Sequence, residues 1–220
     1  SHLNLKTLEK NIKFIKRNSK LNISIDTEGA QIRTKIKTKP IKIRKNSNFL
    51  LSKKNGKFNL YPDNIFNQLK KGDILDIGFN NLLAKVKKKT ENKILLNSLS
   101  AGLLENNKGV HLRNRNIKID YLTEKDKLAI KIGKKYKINN YCLSFTNTIE
   151  DIIKFKKIVP KSRTIFKLET KKSIKNLKGL FKYANDFLID RGDLSKEIRI
   201  ENVPIIQRKV LKLANKYKYK

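Results

Sequence analysis

Three charged residues, Lys167, Glu169 and Asp193, lie at the ends of two apolar runs in the last third of the chain. Lys167 and Glu169 belong to TIFKLE, and Asp193 ends DFLIDRGD. Side chains two apart on a strand share a face, so Lys167 and Glu169 are predicted to point the same way. Two carboxylates are hard oxygen ligands suited to Mg²⁺. An ammonium beside such an ion can neutralise charge on transferring phosphoryl oxygens. The pattern therefore predicts metal-assisted phosphoryl chemistry.

Other polar residues also follow apolar runs at predicted strand ends. Asp26 and Thr27 come after LNISI, and Ser144 comes after YCL. Because functional groups collect at the carboxyl ends of strands in parallel βα folds, these residues are candidates for the same site. The alternatives are structural: an ion pair within TIFKLE, and a solvated turn or helix cap within DRGD.

Helices and strands alternate on both sides of residues 35–110. The spacing of apolar residues in LKTLEKNI predicts a first helix, and Thr123 and Thr148 are predicted helix starts. Short connections between such elements predict parallel strands with right-handed crossovers, in either a barrel or a doubly wound sheet. The sequence has no glycine-rich dinucleotide or P-loop fingerprint, which weighs against the nucleotide-binding open sheets.

Residues 35–110 break this alternation. They contain short runs such as KIKTKPIKIRK, KGDILDIG and KILLNSL, separated by Asn, Gly, Lys and Pro. Such runs are typical of a small all-β domain. We therefore predict an α/β fold whose first segment is 1–34 and whose second segment is 111–220, with 35–110 inserted between them.

The chain is strongly basic, with 53 Lys and Arg against 19 Asp and Glu and a formal net charge of +34. Nucleic-acid binding is one explanation, because a basic surface attracts phosphate. Background composition is the explanation we favour, since Lys far outnumbers Arg and the lysines lie along the whole chain.

The sequence contains no run of about 18 apolar residues, so it predicts no membrane-spanning helix. The single cysteine, Cys142, cannot form an intrachain disulfide, which fits a reducing compartment. We expect a cytoplasmic protein that binds neither membranes nor a specific nucleic acid.

Several segments resemble motifs of the pyruvate kinase family, in the same order along the chain. DTEGAQIRT resembles the family's DTKGPEIRT, NKGVHL resembles SKGVNLPG, FKLET resembles AKIEN, and IDRGDLS resembles VARGDLG. The resemblance implies a (β/α)8 TIM barrel with a small all-β lid domain inserted after the third strand. It also implies that the chain begins at the end of the second barrel strand and stops before the seventh. We therefore expect a partial barrel from a longer protein, which folds poorly as an isolated segment because sheet edges are unpaired.

In that family phosphoenolpyruvate passes its phosphoryl group to ADP, giving pyruvate and ATP. The resemblance implies that Lys167 is the catalytic lysine, which stabilises the transferring phosphoryl group, and that Glu169 and Asp193 are the Mg²⁺ ligands. The implied substrate-binding residues are Lys167, Ser144, Arg191, Gly192 and Asp193. Backbone amides of the last three would hold the substrate carboxylate, because amides at a helix start favour anions.

Two further ligand sites follow from the resemblance alone. Ser1, Asp26 and Thr27 match K⁺ ligands. His2, Arg33 and Lys108 match contacts to the nucleotide, ADP or ATP. Whether this chain uses K⁺ is open, because Gln31 stands where the family has Glu in K⁺-dependent members and Lys in K⁺-independent ones. We also expect the full-length protein to be a homo-oligomer.

The chain departs from the family pattern at positions close to these motifs. Glu28 stands where the family has Lys, Asp190 stands where it has Ala, and Ile77 interrupts the acidic lid motif. The alternative function is therefore a catalytically impaired, pyruvate-kinase-like binding protein. The enzyme remains the leading hypothesis because the lysine and both predicted metal ligands are retained.

Overall fold

The computed structural model describes residues 3–29, 31–78, 82–115 and 117–218. The chain divides into two compact units, one formed by Ser1–Ala30 with Asp120–Lys220 and the other by Gln31–Ile119. We call the first the α/β unit and the second the β unit. Residues 35–110, the predicted insert, lie within the β unit.

The helices and strands of the described residues are as follows, in chain order. The helices are α1 (Leu5–Asn18), α2 (Ile65–Gln68), α3 (Glu124–Lys135), α4 (Ile149–Ile158), α5 (Lys171–Lys175), α6 (Leu177–Tyr183), α7 (Arg191–Glu197) and α8 (Val203–Lys218). The strands are β1 (Ser24–Asp26), β2 (Ile32–Ile36), β3 (Ile41–Ile43), β4 (Asn48–Ser52), β5 (Phe58–Tyr61), β6 (Ile74–Ile77), β7 (Leu82–Lys89), β8 (Lys93–Ser98), β9 (Gly102–Leu104), β10 (Gly109–Leu112), β11 (Asn140–Leu143), β12 (Arg163–Leu168) and β13 (Phe187–Ile189).

The α/β unit is built on a parallel sheet whose strand order is β1-β11-β12-β13. Helix α3 precedes β11, α4 lies between β11 and β12, and α5 and α6 lie between β12 and β13. Because every pair in this sheet is parallel, the carboxyl ends of all its strands meet at one edge. Residues that follow these strands in sequence are thereby brought together.

Helices α3 and α4 begin at the predicted residues. Thr123 and Thr148 are their N-caps, and each forms a capping box with an Asp three residues later, Asp126 and Asp151. Each box satisfies amides that a helix start leaves free, and its N-cap residue contributes about 1 kcal/mol. The predictions of helix starts at Thr123 and Thr148 are confirmed.

One face of the parallel sheet is buried in an apolar core. Leu143, Phe166 and Leu168 are fully buried there, and Phe166 meets Phe155 of α4 edge to face at 6.1 Å between ring centroids. Burying each such side chain stabilises the fold by about 2 kcal/mol. Since side chains alternate along a strand, Lys167 is held on the opposite face, between its two buried neighbours.

The β unit is antiparallel throughout its seven-stranded sheet, whose order is β4-β8-β7-β6-β10-β2-β5. Its two outermost strands, β4 and β5, approach each other, with Phe49 and Phe58 stacked at 6.2 Å. The sheet is therefore nearly closed around its own core, which includes Leu51, Leu75 and Leu96. The remaining strands, β3 and β9, form a separate antiparallel pair.

The overall class is mixed α/β, as predicted. No helix in the described ranges is both long and apolar enough to cross a lipid bilayer.

Candidate active site

Polar side chains converge around the Lys167 ammonium at the carboxyl edge of the parallel sheet. Its Nζ atom lies 2.9 Å from Glu169 Oε1, 3.4 Å from Asp26 Oδ2 and 3.4 Å from Asp190 Oδ2. It also donates a hydrogen bond of 3.3 Å to Ser144 Oγ. These partners follow or end strands β1, β11, β12 and β13, so the cluster depends on the whole sheet. The shared orientation of Lys167 and Glu169 was predicted from their spacing.

Glu169 is the most enclosed member of this cluster, and its side chain is fully buried. Its Oε2 accepts the Phe145 backbone N–H at 2.5 Å. Its Oε1 is paired with the Lys167 ammonium at 2.9 Å, and no second donor among the described residues hydrogen bonds to it. Burial raises the pKa of Glu169 to about 7, and the Lys167 charge and the Phe145 N–H only partly oppose this effect. A further cation at Oε1 would favour the ionised form.

Phe145 supplies the amide for Glu169 by adopting a strained backbone. Its φ of 53° lies in the left-handed region, which a bulky residue rarely occupies. The surrounding packing therefore has to hold this conformation, since it costs of order 1 kcal/mol or more. Such strain is concentrated at functional sites.

The Lys167 ammonium is held in its charged form. Burial works to lower the pKa of Lys167, but Glu169, Asp26 and Asp190 outweigh burial and raise it. Lys167 therefore supplies a fixed positive charge at neutral pH and cannot act as a general base there.

A group of three carboxylates extends from this cluster to the first turn of α7. Glu169, Asp190 and Asp193 each offer a carboxylate oxygen, and these three oxygens lie within 4.8 Å of one another. Asp190 is the N-cap of α7 and its Oδ1 accepts the Asp193 N–H at 3.2 Å. Asp193 Oδ1 forms an ion pair with Lys196, one turn further along α7.

This donor set fits a small divalent cation. Carboxylate oxygens are the ligands that Mg²⁺ prefers in proteins. The buried Glu169 Oε1 has Lys167 as its partner, and a carboxylate oxygen can accept from an ammonium and still contact a metal ion. The residues present are therefore compatible with Mg²⁺.

Comparison with known proteins decides the family. The family model described as pyruvate kinase, barrel domain, matches residues 2–219. The chain belongs to the pyruvate kinase family.

Three of its relatives show how far this likeness extends. The chain is 28% identical over 212 residues to a pyruvate kinase of Thermotoga maritima, covering 92% of this chain and 46% of that protein. It is 28% identical over 221 residues to a pyruvate kinase of Methanocaldococcus jannaschii, covering 99% of this chain and 48% of that protein. It is 26% identical over 222 residues to plastidial pyruvate kinase 2 of Arabidopsis thaliana, covering 97% of this chain and 38% of that protein. The chain thus spans less than half the length of each of these relatives.

Two residues that the pyruvate kinase resemblance assigns to K⁺, Asp26 and Thr27, both contact Ser144, and Asp26 also faces Lys167 directly. The Ser144 N–H donates to Thr27 Oγ1 at 3.0 Å. The Ser144 hydroxyl has two acceptors in reach, the Thr27 carbonyl oxygen at 2.8 Å and Asp26 Oδ1 at 3.1 Å. Ser144 therefore joins the loop after β1 to Lys167. The third residue assigned to K⁺, Ser1, lies outside the described residues.

Asp126 anchors that same loop, in addition to its role in the capping box of α3. Its carboxylate accepts the Glu28 N–H at 2.6 Å and the Gly29 N–H at 3.2 Å, in addition to the Thr123 N–H at 3.0 Å. Gly29 has a φ of +73°, and a Cβ there would lie 2.8 Å from Ser144 Cβ. The capping box was readable in the sequence, but its second role depends on a contact across about a hundred residues.

The residues assigned to nucleotide contacts fall in different parts of the chain. Arg33 and Lys108 belong to the β unit, where Arg33 Nη1 donates to the Asn107 carbonyl oxygen at 3.3 Å and Lys108 Nζ lies 3.4 Å from Glu105 Oε2. His2 lies outside the described residues.

The predicted cradle for the substrate carboxylate is the first turn of α7. Arg191 and Gly192 open this helix and are exposed. One of the amides predicted to serve the substrate, that of Asp193, already donates to Asp190. Sequence reasoning noted the extra charge at Asp190, but it did not predict these contacts with Lys167 and α7.

Proposed function

We propose that this chain carries the phosphoryl-transfer site of a pyruvate kinase, which converts phosphoenolpyruvate and ADP into pyruvate and ATP. The observation that carries the proposal is the ion pair of Lys167 with the buried Glu169, beside Asp193, in a member of the pyruvate kinase family. The four-stranded parallel sheet would be part of a (β/α)8 barrel formed by 1–34 and 111–220, and 35–110 would be its inserted lid.

Lys167 would act by electrostatics. Its permanently charged ammonium would stabilise the negative charge on the equatorial oxygens of the transferring phosphoryl group. Glu169 and Asp193 would hold Mg²⁺, which when bound supplies charge neutralisation at the phosphate and carboxylate oxygens. Ser144 would hold Lys167 in position, since its hydroxyl accepts a hydrogen bond from the ammonium.

The remaining binding roles extend this proposal. The turn at Arg191, Gly192 and Asp193 would receive the substrate carboxylate. His2, Arg33 and Lys108 would contact ADP or ATP, and Ser1, Asp26 and Thr27 would bind K⁺ if the protein uses it. The full-length protein would be a cytoplasmic homo-oligomer without membrane or specific nucleic-acid partners.

The test is ATP formation by the complete protein that carries this chain. Lys167→Ala should lower kcat by about 10²-fold or more, because it removes a central charge from the transition state. Lys154→Ala is the matched control, since it removes an exposed lysine from α4. Unchanged ATP formation in Lys167→Ala would refute the role of Lys167.

A second candidate function is a binding protein that does not turn over substrate. The observation that favours it is Asp190, whose carboxylate both faces Lys167 at 3.4 Å and accepts the Asp193 amide. A negative charge there competes with an anionic substrate for the same two groups. Calorimetry with Mg²⁺ and phosphoenolpyruvate separates the candidates, because binding without ATP formation in the complete protein favours this second one.

A further inference from the structure

Asp190 lies where it can contact the same ion as Glu169 and Asp193. It follows β13 directly, and its carboxylate belongs to the group of three whose oxygens lie within 4.8 Å of one another. The resemblance to pyruvate kinases assigns the metal to Glu169 and Asp193 only, and it places Ala at the position of Asp190. The third carboxylate is therefore a property of this chain.

We propose that Asp190 is a third carboxylate ligand of the divalent-cation site, a proposal that rests on the proposed function. The site would then carry one more negative charge than the two-carboxylate site implied by the family. Affinity for a hard divalent cation rises with the number of charged oxygen ligands, so this chain should bind Mg²⁺ or Mn²⁺ more tightly than a two-carboxylate site would.

The contacts of Asp190 leave its carboxylate available to a metal ion. Its Oδ2 lies 3.4 Å from Lys167 Nζ, longer than the 2.7–2.9 Å typical of a strong charge-assisted hydrogen bond. Its side chain is about one-third exposed. Beside it, the buried Glu169 Oε1 lies 2.9 Å from the same Lys167 Nζ, so the two carboxylates share one ammonium. A cation bound between these two groups would satisfy both.

A purely structural role for Asp190 predicts different behaviour. As the N-cap of α7 it accepts the Asp193 N–H, and Asn or Ser would accept that hydrogen bond about as well. Asp190→Asn and Asp190→Ser therefore preserve the cap while removing the charge. Asp186→Asn is the matched control, because it removes a nearby carboxylate that pairs with Arg163 on the surface.

The experiment is Mn²⁺ binding to the complete protein, measured from the EPR signal of the free ion. Mn²⁺ prefers the same oxygen ligands as Mg²⁺. Asp190→Asn and Asp190→Ser should weaken Mn²⁺ binding about tenfold, and Asp186→Asn should leave it unchanged. In Asp190→Ser, water-proton relaxation should report one additional Mn²⁺-bound water, because serine is too short to replace the carboxylate.

The other outcomes overturn the proposal in distinguishable ways. If Glu169→Gln weakens Mn²⁺ binding but both Asp190 variants bind like the wild type, Asp190 is not a ligand and the proposed function stands. If affinity falls without a gain of bound water, Asp190 acts through its charge alone. If both Asp190 variants are unfolded in chelator, its role is structural. If the wild type does not bind Mn²⁺, the proposed function fails as well.

Discussion

Each of the two units buries a carboxylate beside a cationic side chain, but the two carboxylates differ in how fully they are hydrogen bonded. In the β unit, Asp73 receives the Arg115 guanidinium as a fork, with Nε 2.8 Å from Oδ1 and Nη2 2.7 Å from Oδ2, and its Oδ2 also accepts the Lys70 N–H at 2.7 Å. In the α/β unit, Glu169 has one aligned backbone donor and an ion pair with Lys167.

The pKa values of Asp73 and Glu169 shift in opposite directions because of this difference in hydrogen bonding. Burial works to raise the pKa of Asp73, but the Arg115 fork and the Lys70 amide outweigh it and lower the pKa below its ordinary value. For Glu169 burial prevails and raises the pKa to about 7. A carboxylate that is fully paired stabilises its fold, whereas one that is buried and underpaired is suited to binding a further cation.

The variant Glu169→Gln gives the strongest test of this contrast between a functional and a structural carboxylate. We expect ATP formation by the complete protein to fall about 10²-fold or more, because the variant removes a proposed metal ligand. Thermal unfolding of the α/β unit should change little, since Asp26 and Asp190 still face the Lys167 ammonium and glutamine still accepts the Phe145 N–H. Strong destabilisation with intact activity would make Glu169 a structural residue like Asp73.

The converse variant is Arg115→Ala in the β unit. It leaves Asp73 buried without its fork, and breaking such a pair costs about 3 kcal/mol in the free energy of unfolding. Arg113→Ala is the control two residues away, because Arg113 pairs with Asp76 while its own side chain is half exposed. Denaturant unfolding that gives equal losses for both variants would contradict the structural role assigned to Asp73.

A smaller effect is expected on acidification. Because the folded pKa of Asp73 is lowered, its contribution to stability is present above the unfolded pKa of about 3.9 and is lost as pH falls through the folded value. Denaturant titrations between about pH 5 and pH 2 should therefore show a weaker pH dependence in Asp73→Asn than in the wild type. Asp63→Asn, at an exposed site of the same unit, should retain the wild-type dependence; equal curves for all three proteins would oppose this account.

Local sequence patterns were sufficient to predict part of the site. The spacing of two in TIFKLE predicted that Lys167 and Glu169 share a face, because alternation along a strand is set by backbone geometry alone. The threonines that begin α3 and α4 were likewise readable, since a capping box spans four consecutive residues. The short alternating runs between 35 and 110 indicated the β strands that the structure contains there.

The remaining features depend on contacts between distant residues, which periodicity does not encode. Asp126 reaches the amides of Glu28 and Gly29 across the whole β unit in sequence, and Asp73 meets Arg115 from 42 residues away. The contact of Asp190 with Lys167 requires the pairing register of β12 and β13 and the cap of α7. None of these contacts could be predicted without knowing which strands and helices are neighbours in the fold.

The smallest expected effect concerns Tyr141, whose hydroxyl is a buried polar atom without a hydrogen-bond partner among the described residues. It differs from Glu169 Oε1 because Tyr141 lies on the apolar face of the sheet, where its hydroxyl faces Gly133 of α3. An unpaired hydroxyl there costs desolvation and binds nothing, so Tyr141→Phe should change the free energy of unfolding by less than about 1 kcal/mol, in the stabilising direction. ATP formation should be unchanged. A clear loss of activity in Tyr141→Phe would mean that an apolar environment does not mark an unpaired polar group as non-functional.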